Sequence, residues 1–129
     1  MTGFEPADRV WTLAEANEAL PAVTEVVERI RALREEASTR AGPRSARARR
    51  NGHEEDLGGS LAFASAMREL SDQGIVVRDL DTGLVDFPAR SPSGRAYWLC
   101  WVVGEPEVAW WHWPEDGFAG RAPIGDPPA

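Results

Sequence analysis

At Gly74 the spacing of apolar residues changes from the three-to-four-residue repeat of a helix to the alternation of a strand, and one kind of element cannot satisfy both. The chain before that point reads as helical and the chain after it as sheet. On the helical side, Leu13, Ala16, Leu20, Val23, Val27, Ile30 and Ala37 form an apolar stripe that Val26 and Leu33 broaden. Thr12 and Glu15 have capping-box spacing, and Trp11 can pack back on the first turn, so the helix starts here. Pro21 removes a backbone donor and disfavours helical geometry at Leu20, which predicts a helix near 12–20 that kinks or restarts and a longer one to about Thr39. A second helix is predicted from Leu57 or Ser60 to Gln73, with Leu61, Ala64, Met67 and Leu70 along one side and Gly74 at the C′ position. These segments should pair as an antiparallel hairpin.

After Gly74, strands are predicted at 75–78, 84–88, 95–103 and 108–113, separated by Asp81-Thr82-Gly83, Ser91-Pro92-Ser93-Gly94 and Gly104-Glu105-Pro106-Glu107. The expected fold is therefore α+β: a helical hairpin packed on an antiparallel β-meander of 3–4 strands, with an irregular Gly- and Pro-rich tail over 114–129. Its parts are a lead-in before Trp11, a first helical segment over 11–40, a flexible connector over 41–56, a second helix over 57–73 and the sheet over 75–113. The connector is basic and then acidic, without an apolar anchor. His53, Glu54, Glu55 and Asp56 resemble a metal cluster only in composition, because ordering ligands on a mobile segment costs entropy.

A length of 129 residues suits one domain with one core. The formal charge of −7 argues against general affinity for nucleic acid or anionic membrane, despite Arg44, Arg47, Arg49 and Arg50. No apolar run reaches the roughly 18 residues of a membrane span and the first residues lack a signal-peptide pattern, so the expected location is cytoplasmic. Cys100 is the single cysteine, which excludes an intramolecular disulfide and a multi-cysteine zinc site.

If Val103 stands opposite Val108 and Pro88 opposite Arg95, the side chains sort into two faces. One carries Val85, Phe87, Trp98, Cys100, Val102, Ala109, Trp111 and Trp113, and is the natural seat of the helices. The other sets Asp86, Tyr97 and His112 among Leu84, Leu99, Trp101 and Trp110. Such a face requires a cover: the tail, a second copy of the chain, or a ligand. His112, Asp86 and Tyr97 are the acid–base candidates. His112 and Asp86, with Glu105, Glu107 or Glu15 as a third donor, are candidate ligands for a divalent or transition metal. Arg121, next to Phe118 in a glycine-rich tail, is placed to hold an anionic small molecule or to pair with Asp86. Cys100 reads as a packed, inert thiol among tryptophans.

The segments Thr12–Asn17, Gly83–Pro88, Leu99–Trp101, Gly104–Val108 and Trp111–Arg121 together resemble a prokaryotic family known as domain of unknown function 2203. The resemblance implies that Glu15, Asn17, Asp86, Cys100, Trp101, Glu105, Trp111, His112, Phe118 and Arg121 match its signature positions, and it supplies no activity. On that footing Glu15 and Asn17 join Arg121, Trp101 and Trp110 as candidate ligand-binding residues. Two functions follow from the polar, tryptophan-lined face: a small-anion or metal site, or a homodimer or partner interface.

Overall fold

The structure is a computed structural model that describes residues 9–40 and 53–129, with side chains at 9–39 and 59–129. Helices α1 (Leu13–Arg40) and α2 (His53–Ser71) pack on a five-stranded antiparallel sheet of β1 (Val76–Asp79), β2 (Leu84–Arg90), β3 (Ala96–Val102), β4 (Trp110–His112) and β5 (Ala122–Pro123). The strands lie side by side in chain order. This is the expected α+β meander under a helical hairpin, extended by a fifth strand from the tail. Helix α2 begins at His53, so residues 53–56 are helical and do not belong to the connector. Residues 1–8 of the lead-in and 41–52 of the connector, including Arg44, Arg47, Arg49 and Arg50, lie outside the described residues. Among the described residues no helix is long and apolar enough to cross a membrane.

The capping box forms as its spacing predicts: the Glu15 amide donates to Thr12 Oγ1 at 3.1 Å and the Thr12 amide to Glu15 Oε1 at 2.9 Å. Trp11 then ties the helix start to two other elements. Its amide donates to the Pro88 carbonyl at 2.7 Å and its indole N–H to the Gln73 carbonyl at 2.9 Å. Helix α1 does not restart at Pro21 but runs through it as one element. The proline costs one amide hydrogen bond, while Leu20, Val23, Val26, Val27 and Ile30 stay buried on either side of it. Helix α2 ends at Ser71, and the turn after it closes at Gly74, whose φ of 76° lets the Ile75 amide reach the Leu70 carbonyl at 3.1 Å. Its inner stripe is rotated from the expected one: Ala66 and Leu70 are buried with Phe63 and Met67 packed beside them, whereas Leu61 is 62% exposed. Turning Phe63 inward buries an aromatic ring where the expected stripe would bury Ala64.

The strand registers differ from those expected, and each difference has a local cause. Pro88 stands opposite Trp98, three residues beyond Arg95. The turn at 91–95 closes more tightly than supposed: the Ser91 amide donates to the Arg95 carbonyl at 2.9 Å, Ser91 Oγ accepts the Arg95 amide at 3.2 Å, and Gly94 takes φ 87°. Leu99, not Cys100, faces Trp111 across β3 and β4. Here the Val108 amide donates to Asn17 Oδ1 of α1 at 2.7 Å, and the Val103 amide donates to the Gly83 carbonyl at 3.1 Å.

Both slips are odd, so β3 is inverted relative to expectation while β2 and β4 keep their faces. The helices cover Val85, Phe87, Ala89, Leu99, Trp101 and Trp111, all buried. The other face carries Asp86 and Cys100, opposite each other, with His112 opposite Trp98.

Candidate metal centre

Asp86 on β2, Cys100 on β3 and His112 on β4 are brought together by three adjacent strands, and their ligand atoms lie within 4.8 Å of one another. The small Cys100 side chain on the middle strand lets the two outer ones meet over it. His112 Nε2 and Asp86 Oδ2 are 2.9 Å apart, with the three residues between 0% and 4% exposed. On the far side of the ring, Nδ1 lies 2.9 Å from the Trp113 carbonyl, which can only accept. Nδ1 therefore carries a hydrogen. A neutral ring then turns a bare Nε2 lone pair toward a carboxylate oxygen, an arrangement that needs a proton shared by the two groups or a cation between them. Metal-bound histidines are oriented by this kind of carbonyl contact at the other ring nitrogen.

The surroundings set the charge states. Burial alone depresses the His112 pKa, but hydrogen bonds to Asp86 and the Trp113 carbonyl, with the Asp86 charge, outweigh it and leave the pKa raised above 6.5. Burial, followed by the negative charge of Asp86, pushes the Cys100 thiol up to about 12, against the opposing influence of Arg121. Without a metal, Cys100 is a protonated, unreactive thiol. Asp86 Oδ1 is the one buried side-chain polar atom without a hydrogen-bond partner among the described residues. A buried unsatisfied acceptor costs about 1–3 kcal/mol.

Two arginines frame the cluster, each against an indole. Arg78 donates from Nε to Asp86 Oδ2 at 2.9 Å, and its guanidinium carbon lies 4.8 Å from the Trp98 ring centroid. It occupies the bulge in β1 where pairing jumps from Val77↔Val85 to Asp79↔Leu84, and a bulge of this kind re-aims a side chain. Arg121 comes from the tail, with its guanidinium 4.6 Å from the Trp110 centroid and 4.5 Å from that of Phe118. Glu105 fixes it with contacts at 2.8 and 3.3 Å, and Arg121 Nη1 stands 3.9 Å from Cys100 Sγ.

Of the residues singled out in the sequence, His112 and Asp86 meet directly, and Arg121, Trp110 and Glu105 form the layer around them. Glu105 is not within the metal-ligand group, because its oxygens engage Arg121 and the Val102 amide. Tyr97 is on the helix-covered face, edge-on to Trp111 and Trp113, and burial raises its pKa. It does not bridge Asp86 and His112. Trp101 is buried on that same face and donates to the Glu105 carbonyl. With Asn17, Thr24 and Glu107 it lines a surface recess of about 420 Å³, distinct from the three-residue cluster. Glu15 belongs to the cap of α1 and pairs with Arg9 at 3.7 Å. Arg78 and Trp98 are the site residues the sequence reading missed, and Cys100, matched to a signature position but read as inert packing, joins the group. The tight Ser91–Arg95 turn was the available signal for Cys100 and Trp98, since it sets the register of β3; the bulge that directs Arg78 has no local sequence mark.

A family described as "Uncharacterized conserved protein (DUF2203)" matches residues 9–124 of the chain. No curated protein and no solved structure matches.

Proposed function

The chain belongs to the DUF2203 family, and we propose that it binds one divalent transition metal through Asp86, Cys100 and His112. The observation that carries this reading is the buried, partnerless Oδ1 of Asp86, a residue that offers a carboxylate oxygen within 4.8 Å of the ligand atoms of a thiol and an imidazole. A tetrahedral ion at bond lengths of roughly 2.0–2.3 Å needs ligand atoms about 3.3–3.6 Å apart, so adjustments of at most about 1.5 Å suffice. Mixed thiolate, imidazole and carboxylate ligands suit zinc or a neighbouring divalent ion. Three protein ligands leave a fourth position for water or a small ligand, the arrangement of a reactive centre, whereas a structural zinc site is closed by four. The ion would displace the Cys100 proton, and Arg121 beside Sγ supports the thiolate so formed.

Metal analysis of protein purified without a histidine tag, followed by cobalt(II) titration of the chelator-treated protein, tests the reading. One ion per chain and a thiolate-to-cobalt charge-transfer band that disappears in Cys100→Ser are expected. Absence of stoichiometric binding by zinc, cobalt, nickel, copper or iron in reducing buffer would sink it. The 2.9 Å contact of His112 with Asp86 favours a second reading, a purely structural imidazolium–carboxylate pair. In that case the protein stays metal-free and His112 titrates as a cation.

A further inference from the structure

We infer that the fourth position of this centre takes a small monocarboxylate, held jointly by the metal and by Arg78; the inference rests on the metal reading above. Charge balance is the first argument. With a divalent ion in place, Asp86, a Cys100 thiolate and Glu105 supply three negative charges, while the ion, Arg78 and Arg121 supply four positive ones. One positive charge is left over, on the partly exposed Arg78 guanidinium at the edge of the cluster. A monoanion neutralises it, whereas a phosphate dianion would overshoot.

The two arginines differ in a way that identifies the clamp. Arg121 is sandwiched by two rings, engaged by both Glu105 oxygens and 18% exposed, so its charge is already matched. Arg78 has a 41% exposed side chain and gives only its Nε to Asp86, and its terminal nitrogens have no hydrogen-bond partner among the described residues. It is thus both partly exposed and the group with donors to offer. It sits in the β1 bulge with its guanidinium carbon 4.8 Å from the Trp98 ring centroid, so a planar fork lies beside the cluster. A carboxylate can give one oxygen to the ion and the other to that fork. The Asp86–Arg78 contact is retained in this arrangement, with Oδ1 available to the ion.

The test is titration of cobalt(II)-loaded protein with acetate and lactate, and in parallel with chloride and inorganic phosphate, read from the visible d–d bands. Both carboxylates should shift the bands saturably, and Arg78→Gln should weaken their binding by about tenfold or more, the loss of a charged hydrogen bond. Arg78→Lys, which keeps the charge and loses the fork, should fall between. Cobalt bound with its charge-transfer band but unaffected by carboxylates would overturn the inference and leave the metal reading intact. Equal response to chloride, tighter response to phosphate, or carboxylate binding unchanged in Arg78→Gln would also overturn it. Failure to bind cobalt would remove both. Thermal melting of each variant shows whether it remains folded, and Arg78→Lys serves if Arg78→Gln does not.

Discussion

The two faces of the sheet use alternate residues of the same strands, yet different physics holds them in place. Val85, Phe87, Leu99, Trp101 and Trp111 lie under the helices, where apolar area and volume decide stability and no atom needs one particular partner. One residue along in each strand, Asp86, Cys100 and His112 lie between two arginine-on-tryptophan stacks, where each polar atom must find its own partner and Asp86 Oδ1 finds none. The first face can be optimised by packing alone. The second carries a cost that a bound cation would remove, which is why it is read as the functional face. The largest effect should come from breaking the first: Phe87, fully buried and edge-on to Trp11 at 5.3 Å, leaves a cavity as Phe87→Ala. A loss of about 3–5 kcal/mol in urea denaturation is expected, with cobalt stoichiometry unchanged in the fraction that remains folded. Loss of metal binding from folded Phe87→Ala protein would show that the faces are not separable.

Breaking the second face should cost less and depend on how it is done. His112→Leu removes one partner of a buried pair, and because Arg78 still accompanies Asp86 the loss should be about 2–3 kcal/mol, below the ~3–5 of a stranded charge. Combining it with Asp86→Leu removes the carboxylate as well. The double variant should then be less destabilised than the sum of its singles, read from denaturant midpoints at neutral pH in chelator. Strict additivity would mean that the two side chains do not interact.

The contrast between faces also explains what the sequence revealed. In β2 and β4 polar Asp86 and His112 alternate with apolar neighbours, so the side that faces the helices can be read directly from Val85, Phe87 and Trp111. Strand β3 reads Tyr97-Trp98-Leu99-Cys100-Trp101, apolar on both sides, and alternation says nothing about its orientation. Only its turns fix it. One depends on the Ser91 hydroxyl and the other on Asn17, which is 91 residues from Val108 along the chain. The cap of α1 was legible because Thr12 and Glu15 are local to each other; the partners of Glu105 and Arg78 were not, because Arg121 and Asp86 reach them only through tertiary structure.

A pH series sharpens the second face further. In chelator, the raised pKa of His112 means that its pairing with Asp86 contributes stability fully below the ordinary value of 6.5, and that this contribution is lost as pH rises through the elevated folded-state value. Urea midpoints should fall over that window in the wild type, and the fall should be absent in His112→Leu. In saturating zinc the trend should reverse, because protons compete with the ion for His112 and Cys100 and stability then rises with pH. The same fall in zinc as in chelator would count against metal ligation.

The smallest effect should come from Tyr97→Phe, and it separates the two possible orientations of β3 most sharply. In the register expected from the sequence, the phenol would stand between Asp86 and His112, and removing its hydroxyl would leave a gap in a polar cluster. In the structure Tyr97 pairs with Ala89 and packs against Trp111 and Trp113 on the helix side, ring contacts that phenylalanine reproduces. The change should therefore stay within about 0.5 kcal/mol, as for a substitution that leaves packing intact. The cobalt spectrum and the His112 titration, followed by NMR of the ring protons, should both match the wild type. A shift in either would place the tyrosine on the metal face after all and return β3 to the register in which Cys100 faces the helices.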